Sequence, residues 1–223
     1  MNVETFPDAQ TLAAHVAQWL SGLARAKQGP FTVALSGGST PRATYEQLAK
    51  EEDFPWERTR WFFGDERFVP PDDSESNYRM AQEAMLYRAP EKNVYRVQTL
   101  GVTAQTAALA YETELKALRG DGPMFDVTLL GLGPDGHTAS LFPGSPMLDE
   151  RERWTGVVEA LGRTRVTLTY PVLDDSAHVA FLVTGAEKRD VLRRVLAGDM
   201  SLPAARIRPS GELRFFVDSA AAA

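Results

Sequence analysis

The chain has 223 residues, of which 43% are hydrophobic and 24% are charged, which is the ordinary balance of a globular protein. That length and apolar content predict one domain over residues 1–223 with a sizeable core. A net charge of -6 argues against nucleic acid as a partner, and the lack of cysteine excludes disulfides, thiolate metal sites and cysteine nucleophiles. With 3 histidines, a metal site built from several histidines is not expected either.

The sequence predicts a cytoplasmic location. The N-terminal run MNVETFPDAQ has neither the basic region nor the apolar core of a signal peptide. No stretch is long and apolar enough to span a membrane, so no membrane partner is expected. The small residues at 219–223 predict a frayed tail.

The first part of the chain predicts a helix followed by a strand. Asp8 can cap the helix, whose apolar residues recur at helical spacing until Gly29. The strand is 31–35, FTVAL.

The run SGGSTP at 36–41 then leads into another helix. Glycines let a backbone approach a ligand, and the free amides at a helix start attract anions. Pro41 suits the first turn, and Ser39 or Thr40 can cap it. A plain strand-to-helix turn is the alternative. As a phosphate cradle the run would use Ser36, Gly37, Gly38, Ser39 and Thr40.

A second strand, 60–63, is followed by the charged run GDER at 64–67. Three charged side chains directly after three aromatic residues suit a site better than a core. Asp65 and Arg67 are the candidates, and a solvated loop is the alternative. A helix from Ser74 or Ser76, a short strand near 93–97 and a helix from Thr103 to Leu118 are predicted to follow.

The central stretch is 125–146, FDVTLLGLGPDGHTASLFPGSP. It begins as a buried strand and breaks on a glycine-rich turn that holds Asp135 and His137. Histidine is the side chain best suited to take up and return a proton near neutral pH. The alternative is a tight turn in which Asp135 caps an amide and His137 faces solvent.

The last third predicts strands near 156–159, 165–170, 178–183 and 213–217, with one helical turn after 170. The run TGAEK at 184–188 opens a helix. Lys188 would lie in its first turn, where a cation opposes the helix dipole unless an anionic ligand is present. A surface lysine is the alternative.

Strands alternating with helices predict an α/β fold, Rossmann-like, with a mostly parallel sheet and helices on both faces. The runs SGGSTP, GDER, GPDGHTAS and TGAEK all follow strands. Ligands bind beyond the carboxyl ends of the strands in such folds, so the four runs are expected to gather at one edge.

Together and in this order, these runs resemble the 6-phosphogluconolactonase family, which is related to the glucosamine-6-phosphate deaminases. The similarity covers nearly the whole chain, from SGGSTP through FGDERFVPPDDSESN, LGLGPDGHTASLFPGSP and RVTLTYPVLD to TGAEK. It implies a Rossmann-like fold and hydrolysis of 6-phosphogluconolactone to 6-phosphogluconate in the pentose phosphate pathway, without metal or organic cofactor. The oligomeric state stays open, with a monomer among the options.

The resemblance also assigns roles to residues. His137 matches the family's general base, with Asp135 beside it. Arg67 and Lys188 match the cations that bind phosphate, and SGGSTP matches the substrate cradle. Asp65 matches an acidic residue of the related deaminases, so its role in a lactonase is less defined.

Two other functions stay open from the sequence. A deaminase or isomerase of amino sugar phosphates is opposed by Phe142, since the deaminases carry a glutamate there, in GHIAFNEP. A non-catalytic sugar-phosphate sensor would resemble the effector domains of transcription regulators. Those usually append a DNA-binding module, whereas here the sheet is predicted to begin by Phe31 with one helix before it.

Overall fold

The computed structural model describes residues 2–222, which form a six-stranded sheet and a separate three-stranded sheet. The strands are β1 Asn2–Phe6, β2 Phe31–Leu35, β3 Thr59–Phe63, β4 Asp65–Arg67, β5 Phe125–Gly131, β6 Thr155–Ala160, β7 Arg163–Leu168, β8 Ser176–Val183 and β9 Glu212–Asp218. The helices are α1 Ala9–Ala26, α2 Ser39–Leu48, α3 Asn77–Ala84, α4 Ala104–Leu118, α5 Tyr170–Leu173, α6 Arg189–Leu196 and α7 Ser219–Ala222.

The large sheet has the strand order β1-β9-β8-β5-β2-β3, and its neighbouring strands pair in parallel. The chain moves outward from β2 to β3, then returns past β2 to β5 and continues through β8 to β9. The direction of winding therefore reverses between β2 and β5. Such a switch point leaves a crevice at the carboxyl ends of the strands, where ligands bind in open α/β sheets.

Helices cover both faces of this sheet. Successive side chains of a strand point to opposite faces, so neighbouring residues pack against different helices. On β3, Trp61 and Phe63 pack in the cluster with α1, α2 and α3, whereas Phe62 packs in the cluster with α4, α5 and α6. All three aromatic side chains are at most 1% exposed. The predicted α/β fold with a mostly parallel sheet is therefore confirmed.

The small sheet has the order β4-β7-β6 and is antiparallel throughout. Its β4 holds the charged residues of GDER, so the alternative of a solvated loop is wrong for 65–67. Three residues are too few to show a strand periodicity, and their partner in β7 lies about a hundred residues further along the chain. Leu168 donates to the carbonyl of Gly64, which ties this sheet to the end of β3.

Several local predictions also need correction. The sheet does not begin at Phe31, because β1 is already its edge strand, parallel to β9. The tail is not frayed at 219–222, which form α7 with Ala221 1% exposed, while Ala223 lies outside the described residues. No strand forms at 93–97, where Val94 makes one isolated bridge to Trp61. No helix within residues 2–222 has the length and apolarity needed to cross a bilayer.

Candidate active site

A cavity of about 220 Å³ lies at the carboxyl ends of β2, β3, β5 and β8. It is lined by Ser36, Gly37, Gly38, Asp65, Arg67, Asn77, Gly131, Leu132, Gly133, Pro134, His137, Ala139, Arg165 and Lys188. The four runs singled out in the sequence therefore meet at one place. A larger cavity, about 630 Å³, lies between α6 and the start of β9 and contains none of the predicted site residues.

His137 sits in the turn after β5, with its imidazole against the backbone of Gly133. A β-carbon on Gly133 would lie 2.1 Å from Nδ1 of His137, so a residue larger than glycine cannot occupy this position without moving the ring. Asp135 Oδ1 accepts hydrogen bonds from the His137 backbone amide at 3.1 Å and from Nδ1 at 2.5 Å. This places the proton on Nδ1 and leaves the lone pair on Nε2.

The carboxylate of Asp135 is suited to this orienting position. Burial alone would raise its pKa, but the hydrogen bonds from the backbone amide and the imidazole of His137 outweigh that effect and hold the pKa below its usual value. Asp135 is therefore ionised near neutral pH. It does not line the cavity itself and lies behind the imidazole.

Phe142 packs on the face of the His137 imidazole. The ring centroids are 4.3 Å apart with an interplanar angle of 31°, and Phe142 is 8% exposed. The guanidinium of Arg165 lies over the same phenyl ring, 5.6 Å from its centroid. Phe142 thus fixes the imidazole plane and connects it to a cation of the cavity.

Arg67 and Arg165 are neighbouring cations of the cavity. They are register partners in the antiparallel pair of β4 and β7, as are Asp65 and Thr167. Side chains two residues apart lie on one face of a strand, so the two arginines and Asp65 share a face. Chiefly burial, with a smaller contribution from the Arg67 cation, lowers the pKa of Arg165 against the opposing effect of Asp65.

Arg165 is a site residue that the sequence does not indicate, because the alternating run RVTLTY predicts only a strand. The spacing of Arg165 and Thr167 places both side chains on one face of the strand, but the sequence does not show which face meets the cavity. Asn77, which is 2% exposed and also lines the cavity, was missed as well. It follows the serine that caps α3, so the sequence showed it as an ordinary helix residue.

Lys188 approaches the cavity from the other side, at the start of α6. Within residues 2–222 its ammonium has no carboxylate within ion-pair distance, so its charge is available to a ligand. Thr184, in the same loop, bonds to Thr40 with 2.7 Å between the hydroxyl oxygens. That bond joins the TGAEK loop to the start of α2.

The start of α2 differs from the prediction. Ser39 and Thr40 are not caps, because the N-cap is Gly38, with φ +108° and no side-chain cap. Its left-handed backbone explains the glycine. Ser39 and Thr40 instead form the first turn and do not line the cavity, whereas Ser36, Gly37 and Gly38 do. The uncapped amides leave the positive end of the helix facing an anion site.

Asp65 is 6% exposed and is held by neighbouring donors. Ser140 Oγ donates to its Oδ2 at 2.6 Å, and Asn77 Nδ2 lies 3.3 Å from its Oδ1. Nη1 of Arg165 is 3.8 Å from Oδ2. Asp65 therefore offsets part of the arginine charge and presents its carboxylate to the cavity wall.

No group of three or more histidine, aspartate or glutamate side chains placed to hold a metal occurs among residues 2–222.

A family model described as glucosamine-6-phosphate isomerases/6-phosphogluconolactonase matches residues 7–215. The chain belongs to this family, and the resemblance inferred from the motifs is confirmed. A 6-phosphogluconolactonase from Nostoc is 41% identical, with 99% of this chain and 97% of the relative covered. The 6-phosphogluconolactonase of the rat is 38% identical, with 99% of this chain and 92% of the relative covered. The solved structure of the 6-phosphogluconolactonase of Trypanosoma brucei superposes with a TM-score of 0.90 at 34% identity. The superposition covers 99% of this chain and 97% of the Trypanosoma chain.

Proposed function

We propose that this chain, as a single domain, hydrolyses 6-phosphogluconolactone to 6-phosphogluconate in the oxidative pentose phosphate pathway, with His137 as general base. The observation that carries the proposal is the placement of one imidazole and three cations around one cavity. His137 supplies the proton-transfer group, while Arg67, Arg165 and Lys188 supply positive charge for a phosphate. The relatives named for this activity cover nearly the full length of the chain.

The chemistry needs one water molecule and one base. Nε2 of His137 takes a proton from water as the oxygen attacks the lactone carbonyl carbon, forming a tetrahedral oxyanion. When the bond from that carbon to the ring oxygen breaks, the imidazolium returns the proton to the ring oxygen. Asp135 stabilises the imidazolium between these two transfers. General acid–base assistance of this kind typically contributes about a hundredfold to ten-thousandfold in rate.

The phosphate does not react, and its role is to place the carbonyl beside His137. Guanidinium groups bind phosphate through paired hydrogen bonds, and ammonium acts as a compact charge. The open amides at the start of α2, next to Ser36, Gly37 and Gly38, complete this cradle. The Asp65 carboxylate accepts a hydrogen bond from a hydroxyl of the sugar. Binding energy from the remote phosphate is thereby used to orient the reacting atoms.

Phe142 separates this function from deamination. A phenyl ring stacked on His137 cannot transfer the proton that an acid at this position would supply. A non-catalytic sensor would bind the sugar phosphate and release it chemically unchanged.

The test is hydrolysis of freshly generated 6-phosphogluconolactone, with the uncatalysed rate subtracted. We expect rapid formation of 6-phosphogluconate and no ammonia from glucosamine 6-phosphate. Ammonia release would indicate a deaminase, and binding of the lactone without faster hydrolysis would indicate a sensor.

A further inference from the structure

Asn77, the first residue of α3, connects two charged residues of the cavity. Its Oδ1 accepts a hydrogen bond from Nη1 of Arg67 at 2.7 Å. Its Nδ2 donates to the backbone carbonyl of Asp65 at 2.8 Å and approaches the Asp65 carboxylate at 3.3 Å. Both ends of one buried amide are thus committed to residues that line the cavity.

Glu66 fixes the position of Asn77. Glu66 belongs to β4 and is 3% exposed, and its side chain reaches the start of α3. Its Oε1 accepts from the backbone amides of Asn77 at 2.7 Å and Arg67 at 2.8 Å, and its Oε2 accepts from the amide of Tyr78 at 2.8 Å and the hydroxyl of Ser76 at 3.1 Å. The start of α3 is therefore bound to β4 independently of the Asn77 side chain.

Asn77 also contacts the loop after β2. A β-carbon on Gly37 would lie 2.0 Å from Oδ1 of Asn77, so the side chain fills the space that any larger residue at 37 would need. The same amide therefore sets the distance between the Gly37 loop and the Arg67 guanidinium.

We infer that Asn77 is a positioning residue that aims the Arg67 guanidinium at the phosphate of the substrate. This inference rests on the proposed function. Arg67 uses Nη1 for Asn77 and, at 3.0 Å, for the carbonyl of Glu75. Those bonds leave its Nε and Nη2 for the two oxygens of one ligand group. A long side chain held in this way loses less conformational freedom on binding than a free one.

The kinetic test compares Asn77→Ala, Arg67→Ala and the double variant on 6-phosphogluconolactone and on gluconolactone. We expect Asn77→Ala to lower kcat/KM for the phosphorylated lactone by about tenfold, mostly through KM, because a charge-assisted contact is lost. Gluconolactone should change less than about twofold. In the Arg67→Ala background, Asn77→Ala should add little, since the group it positions is gone.

Asn93→Ala is the matched control. Asn93 is also buried, at 9% exposed, and donates to the carbonyl of Glu57 at 2.9 Å, outside the cavity. It should lower the melting temperature without changing KM. Equal losses for both lactones in Asn77→Ala, or an undiminished loss in the Arg67→Ala background, would overturn the inference.

A second measurement does not depend on activity. Inorganic phosphate should raise the melting temperature of the wild type and of Asn93→Ala, and raise it less in Asn77→Ala and Arg67→Ala. An equal shift in Asn77→Ala and the wild type would contradict the positioning role. If the wild type failed to hydrolyse the lactone, the proposed function would be wrong, while the phosphate shifts would still decide the role of Asn77.

Discussion

Arg67 and Arg165 stand directly opposite each other across β4 and β7. Like charges at such positions destabilise a strand pair, and Asp65 can offset at most one of the two. The small sheet therefore carries excess positive charge toward the cavity. A bound phosphate dianion would remove this repulsion, which is a physical reason for the pair to be present in a protein that binds a sugar phosphate.

Replacement of Arg67 by alanine should separate recognition from chemistry. A charge-assisted contact is typically worth about 1.5–3 kcal/mol, so kcat/KM for 6-phosphogluconolactone should fall about tenfold to over a hundredfold, mainly through KM. Activity on gluconolactone should hardly change because that substrate has no phosphate. Lys188→Ala should show the same pattern. A variant that loses both activities by one factor would assign its residue to catalysis or folding.

His137→Ala should remove most of kcat, by about a hundredfold to ten-thousandfold, while the phosphate still binds. In the wild type, kcat/KM should fall at acid pH, because the general base must be unprotonated in the free enzyme. Turnover near the wild-type rate in His137→Ala would contradict the role of base.

Asp135→Asn is the corresponding test of the orienting carboxylate. Asparagine keeps the size of the side chain but removes the charge that stabilises the imidazolium between the two proton transfers, so kcat should fall. KM should change little because Asp135 does not line the cavity. An unchanged kcat in Asp135→Asn would show that the carboxylate does not act through His137.

Phe142→Leu should test the stack on the imidazole. An aromatic pair is worth about 0.5–1.5 kcal/mol beyond its buried area, so loss of orientation should lower kcat by about twofold to tenfold with KM nearly unchanged. Phe215→Leu is a matched control. Phe215 is buried and stacks on Phe181, with 4.7 Å between the ring centroids, and it does not line the cavity that holds His137. Equal activity losses in the two variants would mean that Phe142 contributes stability alone.

Glu66→Gln should reveal a buried titration. Burial raises the pKa of Glu66 from 4.5 to about 7, against its hydrogen bonds from backbone amides. Since the folded protein then binds this proton more tightly than the unfolded chain, the contribution of Glu66 to stability is greatest below about pH 4.5 and declines until about pH 7. The free energy of unfolding of the wild type minus that of Glu66→Gln should fall over this range. A difference that grows with pH would show that the amide donors dominate.

The sequence predicted the large sheet well because its strands follow local rules. Aromatic and β-branched residues are frequent in β2, β3, β5 and β8, and the strands predicted from them lie within a few residues of the observed ends. The loops after those strands could be placed at one edge because parallel strands share a direction. Seven of the ten predicted site residues consequently line one cavity.

The remaining features depend on pairing between distant segments. β1 is an ordinary polar stretch whose strand conformation comes from β9, about two hundred residues away. β4 is defined by β7, and only that pairing places Arg165 opposite Arg67. Asn77 joins the site through contacts with Asp65 and Gly37 that no local pattern contains. Local periodicity reports which face of an element is buried, but not what lies against it.

Tyr45 and Tyr111 give the cavity a further property. Each phenol is fully buried and spans both backbone groups of one residue at the end of a strand: Tyr45 bonds to the amide and carbonyl of Ser36, and Tyr111 to those of Phe63. The chain is therefore anchored where β2 and β3 leave the sheet. Two of the segments that lead into the cavity are thus held by buried side chains, and we expect substrate to bind without either of them having to order first.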